Sequence, residues 1–337
     1  MIETFLSTLT PMLTLFLFMA IGFTITKTKI IPENASKVIA KLLTYVSLPA
    51  LSFASMAKNF RIEYISTYAS LILLCLICLF IAIGIAMFLA KILIKDKFSY
   101  ERNIYKYALT FGNYGYVGTP LVIAIFGLKG YSFFSFITLT CGLIVYSWGI
   151  NILIPKQEKQ DVKTIIKNIF NPAMIGLIAG IIFGLTGLGE ILYTSDSCKF
   201  IANCVDDLSN CMAPLAMLLA GITVAKYDVK KMLSNKKIYI ATVLRLVLIP
   251  LILTPIAYGI ICLVNLLGWN LDKTFLYLFF FVIATPLGMN TIVFPEAYGG
   301  DPSTGASLTL VSHILSVITI PLMFGLLSVV FGPIPIF

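Results

Sequence analysis

Apolar runs of membrane-crossing length, divided by short polar breaks, occupy nearly all of this 337-residue chain. They lie near 5–26, 35–57, 64–93, 104–126, 131–154, 171–189, 200–225, 238–266, 273–296 and 303–331, here called spans 1 to 10. In hydrocarbon every backbone N–H and C=O must find a protein partner, which leaves such runs little choice but the helix. A crossing needs about 20 apolar residues. The pattern therefore predicts an all-α polytopic membrane protein with ten transmembrane helices. Composition agrees, since 59% hydrophobic and 12% charged residues leave too little charge to cover a soluble surface. No soluble domain is expected.

The net charge of +9 does not signal nucleic acid, because the basic residues are scattered among apolar segments as membrane-surface anchors are. They favour the breaks after odd-numbered spans: Lys27, Lys29, Lys37 and Lys41; Lys91, Lys95, Lys97, Arg102 and Lys106; Lys156, Lys159, Lys163 and Lys167; Lys226, Lys230, Lys231, Lys236 and Lys237. The other breaks hold only Lys58, Arg61, Lys129, Lys199 and Lys273. Positive charge stays inside, so both termini are expected outside a cell membrane. The "AYGGDP" break at 297–302 departs from the rule, with no basic residue. Cys75 and Cys78 form a C-x-x-C, but within "LILLCLICLF" they read as packing rather than redox or metal chemistry. "MIETFLSTLTPML" has no basic opening, so a cleaved signal peptide is not expected.

Ten spans divide as five and five, and an odd number per half sends the second half through the membrane inverted. Pro49 in "SLPALSF" and Pro214 in "MAPLAML" are 165 positions apart. Thr119-Pro120-Leu121 in span 4 and Thr285-Pro286-Leu287 in span 9 are 166 apart. Two landmarks at nearly one offset predict two inverted five-helix repeats, the arrangement of alternating-access carriers. The repeats are placed at 1–154 and 171–337, with a cytoplasmic linker at 155–170.

Spans 4 and 9 are also where helix is hardest to keep. Gly112, Gly115 and Gly118 permit unwinding, and Pro120 lacks an N–H. Thr119 followed by Pro120 reads as an N-cap and first helical residue, and Thr285-Pro286 repeats it ahead of Gly288 and Asn290. Each restarting half-helix would carry about +0.5 of an elementary charge at its N-terminus. Two such ends meeting in the membrane would attract a carboxylate, with Asn113 and Asn290 orienting it. Proline kinks with glycine packing are the plainer alternative.

Taken in order, these segments resemble the auxin efflux carrier family, which includes the plant PIN-FORMED proteins and bacterial malate or malonate permeases. The resemblance rests on "LPALSF" (48–53), "GNYGYVGTPLVIAIFG" (112–127), Asn171-Pro172 and "PLGMNTIVFPEAYGGD" (286–301). It implies a scaffold of spans 1, 2, 6 and 7, and a transport domain of spans 3–5 and 8–10 in which spans 4 and 9 cross. It implies anion binding at Asn113 and Asn290, with Ser52 on the scaffold side, and the two breaks themselves add Tyr114, Gly115, Gly118, Thr119, Pro120, Thr285, Pro286, Gly288 and Thr291 as candidate substrate contacts. The expected activity is elevator-type transport of small organic anions such as malate, malonate or auxin-like acids. The expected partners are that anion, the lipid bilayer, protons or sodium, and a second copy joined through the scaffold; no cofactor or metal is expected. Plant members have a second proline where this chain has Thr291, and polar amides near Cys141 and Gly142. Indole-3-acetate is therefore not carried over.

Other polar residues have two readings each. Asp206 and Asp207 are candidates for ion coupling, but their place near the start of span 7 favours a hydrated headgroup position. His313, the only histidine, is a candidate proton carrier or a packed neutral imidazole. Arg245 is expected to snorkel, and Glu296 to end span 9 in solvent. Gly176, Gly180 and Gly184 form a small-residue stripe for helix packing. An intramembrane enzyme is disfavoured: H-E-x-x-H, G-x-S-x-G and P-loop motifs are all missing. A passive channel, or a sodium- or proton-coupled carrier of another metabolite, stands as the alternative.

Overall fold

A computed structural model describes residues 2–32, 34–155, 170, 172–269 and 271–332. Asn171 and the interior of the 155–170 linker, with Lys156, Lys159, Lys163 and Lys167, lie outside the described residues. Within them the chain is all-α, apart from one antiparallel bridge between Gly112 and Leu287. In chain order the helices are α1 (Ile2–Lys27), α2 (Ala35–Asn59), α3 (Ile65–Leu93), α4 (Tyr100–Thr110), α5 (Tyr114–Gly127), α6 (Lys129–Leu153) and α7 (Pro172–Thr186). They continue as α8 (Leu188–Thr194), α9 (Lys199–Ala225), α10 (Val229–Ser234), α11 (Lys236–Leu266), α12 (Thr274–Ile283), α13 (Asn290–Tyr298) and α14 (Ser303–Phe331).

Among the described residues, seven helices are long and apolar enough to cross a membrane: α1, α2, α3, α6, α9, α11 and α14. The pair α7 and α8, bent by 90° at Gly187, makes an eighth candidate. Spans 4 and 9 are each split instead, into α4 with α5 and α12 with α13. Helices this apolar gain little from water exclusion between themselves in lipid, so close backbone approach matters most. The stripe on α7 serves that end. A Cβ on Gly176, Gly180 or Gly184 would run into the backbone of α2 at Pro49, Phe53 or Met56. The contact of α1 with α9 works the same way, through Gly22 and Gly221.

Proline shapes the helices through widened turns. π-helical turns occupy Leu43–Ser47, Tyr114–Gly118 and Leu244–Leu248, and each ends two residues before a proline: Pro49, Pro120 and Pro250. A proline ring collides with the carbonyl four residues back and offers no N–H. Widening that turn moves the carbonyl aside without breaking the helix. A fourth such turn, Val145–Gly149, has no proline behind it.

Candidate functional site

The two broken spans meet at their breaks. The Asn113 backbone N–H donates to the Pro286 carbonyl at 2.7 Å, and the Gly288 N–H donates to the Phe111 carbonyl at 3.2 Å. These bonds make a two-stranded crossing of residues 111–113 and 286–288 inside a helical protein. The Leu287 N–H donates to Ser312 Oγ at 3.1 Å, from α14. Extended backbone this deep needs every partner it can find, and the crossing supplies them.

Gly112 sits at the centre for a steric reason. A Cβ there would collide with the Arg245 guanidinium and the Thr285 hydroxyl. Arg245 does not snorkel: it is 1% exposed and donates to the Leu109, Thr110 and Val282 carbonyls at 3.2, 3.1 and 3.1 Å. Those carbonyls belong to the C-terminal turns of α4 and α12, the negative ends of both half-helices. One guanidinium thus caps two helices, which solvent at the membrane surface would have left undone.

The half-helix N-termini open on the other side. A cavity of about 90 Å³ is lined by Tyr107, Phe111–Tyr116 and Gly288–Asn290, with Leu48 of α2 and Val145 of α6. A second cavity, about 140 Å³, lies between α2, α5, α6 and α7. Its polar wall is hydroxyl rather than charge: Ser52, Ser55, Thr119, Tyr131, Ser135 and Thr138. Tyr114, Gly115 and Leu48 line both cavities, so they form the partition. A Cβ on Gly115 would meet nothing within 4 Å.

The helix restarts earlier in one span, and later in the other, than the Thr-Pro pairs imply. In span 4 the N-cap position is Asn113, and Thr119 and Pro120 lie within continuous helix behind the π turn. In span 9 residues 284–289 are non-helical and α13 starts at Asn290. Pro286 therefore belongs to the crossing strand, where its missing N–H costs nothing and its carbonyl serves Asn113. The 166-residue match does not pair equivalent positions. The restarts, with Asn113 and Met289 as their N-caps, are 176 positions apart.

Of the sequence candidates, Asn113, Tyr114, Gly115, Gly288 and Asn290 come together on the smaller cavity, and Ser52 and Thr119 on the larger. Gly118 and Pro120 are structural parts of α5, with Gly118 close to the Phe281 carbonyl. Thr285 is buried and its hydroxyl donates to the Val282 carbonyl at 3.3 Å; the Thr291 hydroxyl donates to the Gly288 carbonyl at 2.8 Å. Asp206 and Asp207 line neither cavity: Asp206 accepts from Lys58 Nζ at 2.7 Å on both oxygens and from the Tyr193 hydroxyl at 3.4 Å, and Asp207 is exposed. Glu296 does not end in free solvent but pairs at 3.2 Å with Lys226, which also donates to Ser36 Oγ at 2.5 Å. Nearby, burial with Glu296 and Asp301 pushes the Tyr227 phenol up to about 12.

Sequence reasoning missed the partners. His313 is 5% exposed, and its Nε2 is 2.9 Å from Asn113 Nδ2 while its Nδ1 is 2.8 Å from the Thr309 carbonyl. Asn290 Nδ2 donates to the Tyr107 hydroxyl at 2.8 Å. Nothing local in the sequence ties residue 113 to 313, or 107 to 290.

Comparison with known proteins decides the family. A family described as membrane transport protein matches residues 7–324. The chain belongs to that family, the auxin efflux carrier-like group its motifs resemble. An uncharacterized transporter from Methanocaldococcus jannaschii is 25% identical over 298 residues, covering 87% of this chain and 90% of that protein. The protein is thus an integral membrane transporter.

Proposed function

We propose that the protein is a secondary carrier of small organic anions, carboxylates of the malate or malonate class, working by an elevator movement. The observation that carries this reading is the 90 Å³ cavity, into which the N-terminal ends of both α5 and α13 open. Aligned peptide dipoles make such ends attractive to an anion, more so in a low-dielectric interior. The fixed positive charge of Arg245 on the far side of the crossing adds to the same field.

In this reading the ten spans form two inverted repeats, 1–154 and 171–337, joined by the 155–170 linker. Spans 1, 2, 6 and 7 make the scaffold, and the tight glycine contacts of α2 with α7 and α1 with α9 support that grouping. Spans 3–5 and 8–10 move against it, carrying the crossing past α2. The termini face outward from the cell membrane, and two copies associate through their scaffolds.

Flux into proteoliposomes tests the reading. Saturable uptake of a labelled dicarboxylate is expected, with Asn113→Ala and Asn290→Ala lowering it at least about tenfold, the loss of roughly one charge-assisted hydrogen bond. Non-saturable flux would favour a channel. Binding of cationic or neutral solutes alone would end the anion assignment.

A further inference from the structure

The environment of His313 leaves its protons little freedom. A backbone carbonyl only accepts, so the 2.8 Å contact with Thr309 puts a hydrogen on Nδ1. In the neutral ring Nε2 is then an acceptor, and the amide group 2.9 Å away must be the Nδ2 of Asn113, donating. The acceptor Oδ1 is the half of that amide not engaged by the imidazole, and Asn113 lines the 90 Å³ cavity. A carboxylate entering that cavity would meet an oxygen lone pair where it needs a donor. A proton on Nε2 reverses this. Nε2–H then needs an acceptor, the amide turns Oδ1 toward it, and the Nδ2 hydrogens become available to the cavity.

We propose that His313 sets which half of the Asn113 amide faces the cavity, so that a proton on His313 and a carboxylate in the cavity are bound together. This rests on the organic-anion reading above and gives that carrier a coupling residue. The surroundings support the linkage. Among elements packed against α14, α11 brings the fixed charge of Arg245, and α4 brings Tyr107, bonded to Asn290. Glu296 of α13 is paired with Lys226 beyond α9, while Lys27 of α1 and Lys230 of α10 stand at helix ends. A second buried cation near Arg245 is opposed unless an anion arrives to balance it. Proton and anion therefore favour each other's binding, and by reciprocity each raises the affinity for the other equally.

Because the chain has a single histidine, ¹⁵N-histidine NMR of the full-length protein in lipid nanodiscs reads this site without background. The expected spectrum at pH 7.5 is the neutral Nδ1–H tautomer, and saturating malonate should move His313 toward the doubly protonated ring. Malonate affinity, measured in parallel by thermal shift, should fall up to about tenfold per pH unit between the midpoint of the free ring and that of the malonate-bound ring. His313→Gln can bond Asn113 in either orientation, so it should bind malonate with that slope abolished. An Nε2–H tautomer in the free protein overturns the proposal with no ligand needed. So does malonate binding that leaves His313 neutral, or a slope retained in His313→Gln; in both cases the anion carrier stands. Should no carboxylate bind at any pH, the carrier reading fails separately. The Nδ1–H tautomer would still show the Asn113 Nδ2 turned to the ring, the arrangement that amide control by His313 requires.

Discussion

Helix α2 has two different neighbours, and they are built on opposite principles. Against α7 it is sealed by Gly176, Gly180 and Gly184, with backbone against backbone and no room for a methyl group. Against α5 and α6 it leaves the two cavities and touches through polar points such as Ser55 Oγ and Ser135 Oγ, 2.5 Å apart. Backbone contact of the first kind cannot slide without losing dispersion energy along its whole length. Contact of the second kind loses a few replaceable hydrogen bonds. One side of α2 is thus suited to permanence and the other to movement.

Substitutions can break that contrast, and the largest effect is expected in the sealed seam. Gly180→Leu places a branched side chain where even a Cβ meets the Phe53 carbonyl and Met56. A loss of about 3 kcal/mol or more, or failure to yield a monodisperse protein in size-exclusion chromatography, is expected. Next comes Arg245→Met, which removes the one donor shared by three buried carbonyls. Its thermal unfolding midpoint should fall sharply, and Arg245→Lys should recover only part, because an ammonium lacks the forked geometry.

Gly115→Val should do the reverse, separating function from stability. Its side chain enters open space at the partition between the cavities. The unfolding midpoint is expected to stay within a few degrees while transport falls more than about tenfold, the size of one lost good contact. Lys226→Ala should be mildest. Its pairs with Glu296 and Ser36 join α13 to the start of α2, but the pair is partly exposed and worth under about 1 kcal/mol. A few-fold change in transport rate that vanishes at high salt is expected.

What was legible in the sequence follows from the range of the physics. Apolar runs and the positions of the breaks are local, since a glycine next to an asparagine weakens a helix wherever it sits. Asn113 and Asn290 were readable for that reason. The helix restarts were misplaced because Thr-Pro chemistry fits three situations equally: a helix start, a strand, and the residue pair behind a π turn. Only the tertiary structure separates them, giving Thr119-Pro120 the last and Thr285-Pro286 the second. Arg245 was misread because depth along a helix was judged without knowing what ends beside it. Two carbonyl-rich helix ends there turned an expensive buried charge into a cap.

The π turns carry one further consequence. Each holds about one residue more than the α-helical turn it replaces, which rotates all that follows by about 100° about the helix axis. A helical wheel drawn straight through α2 therefore loses phase at Leu43–Ser47, so residues before and after that turn do not share one wheel. Ser52 and Ser55, which follow it, line the larger cavity. Deleting one residue from that turn, together with Pro49→Ala, would restore an unbroken wheel and turn Ser52 and Ser55 out of register with the cavity, leaving Thr119, Tyr131, Ser135 and Thr138 to supply its hydroxyls.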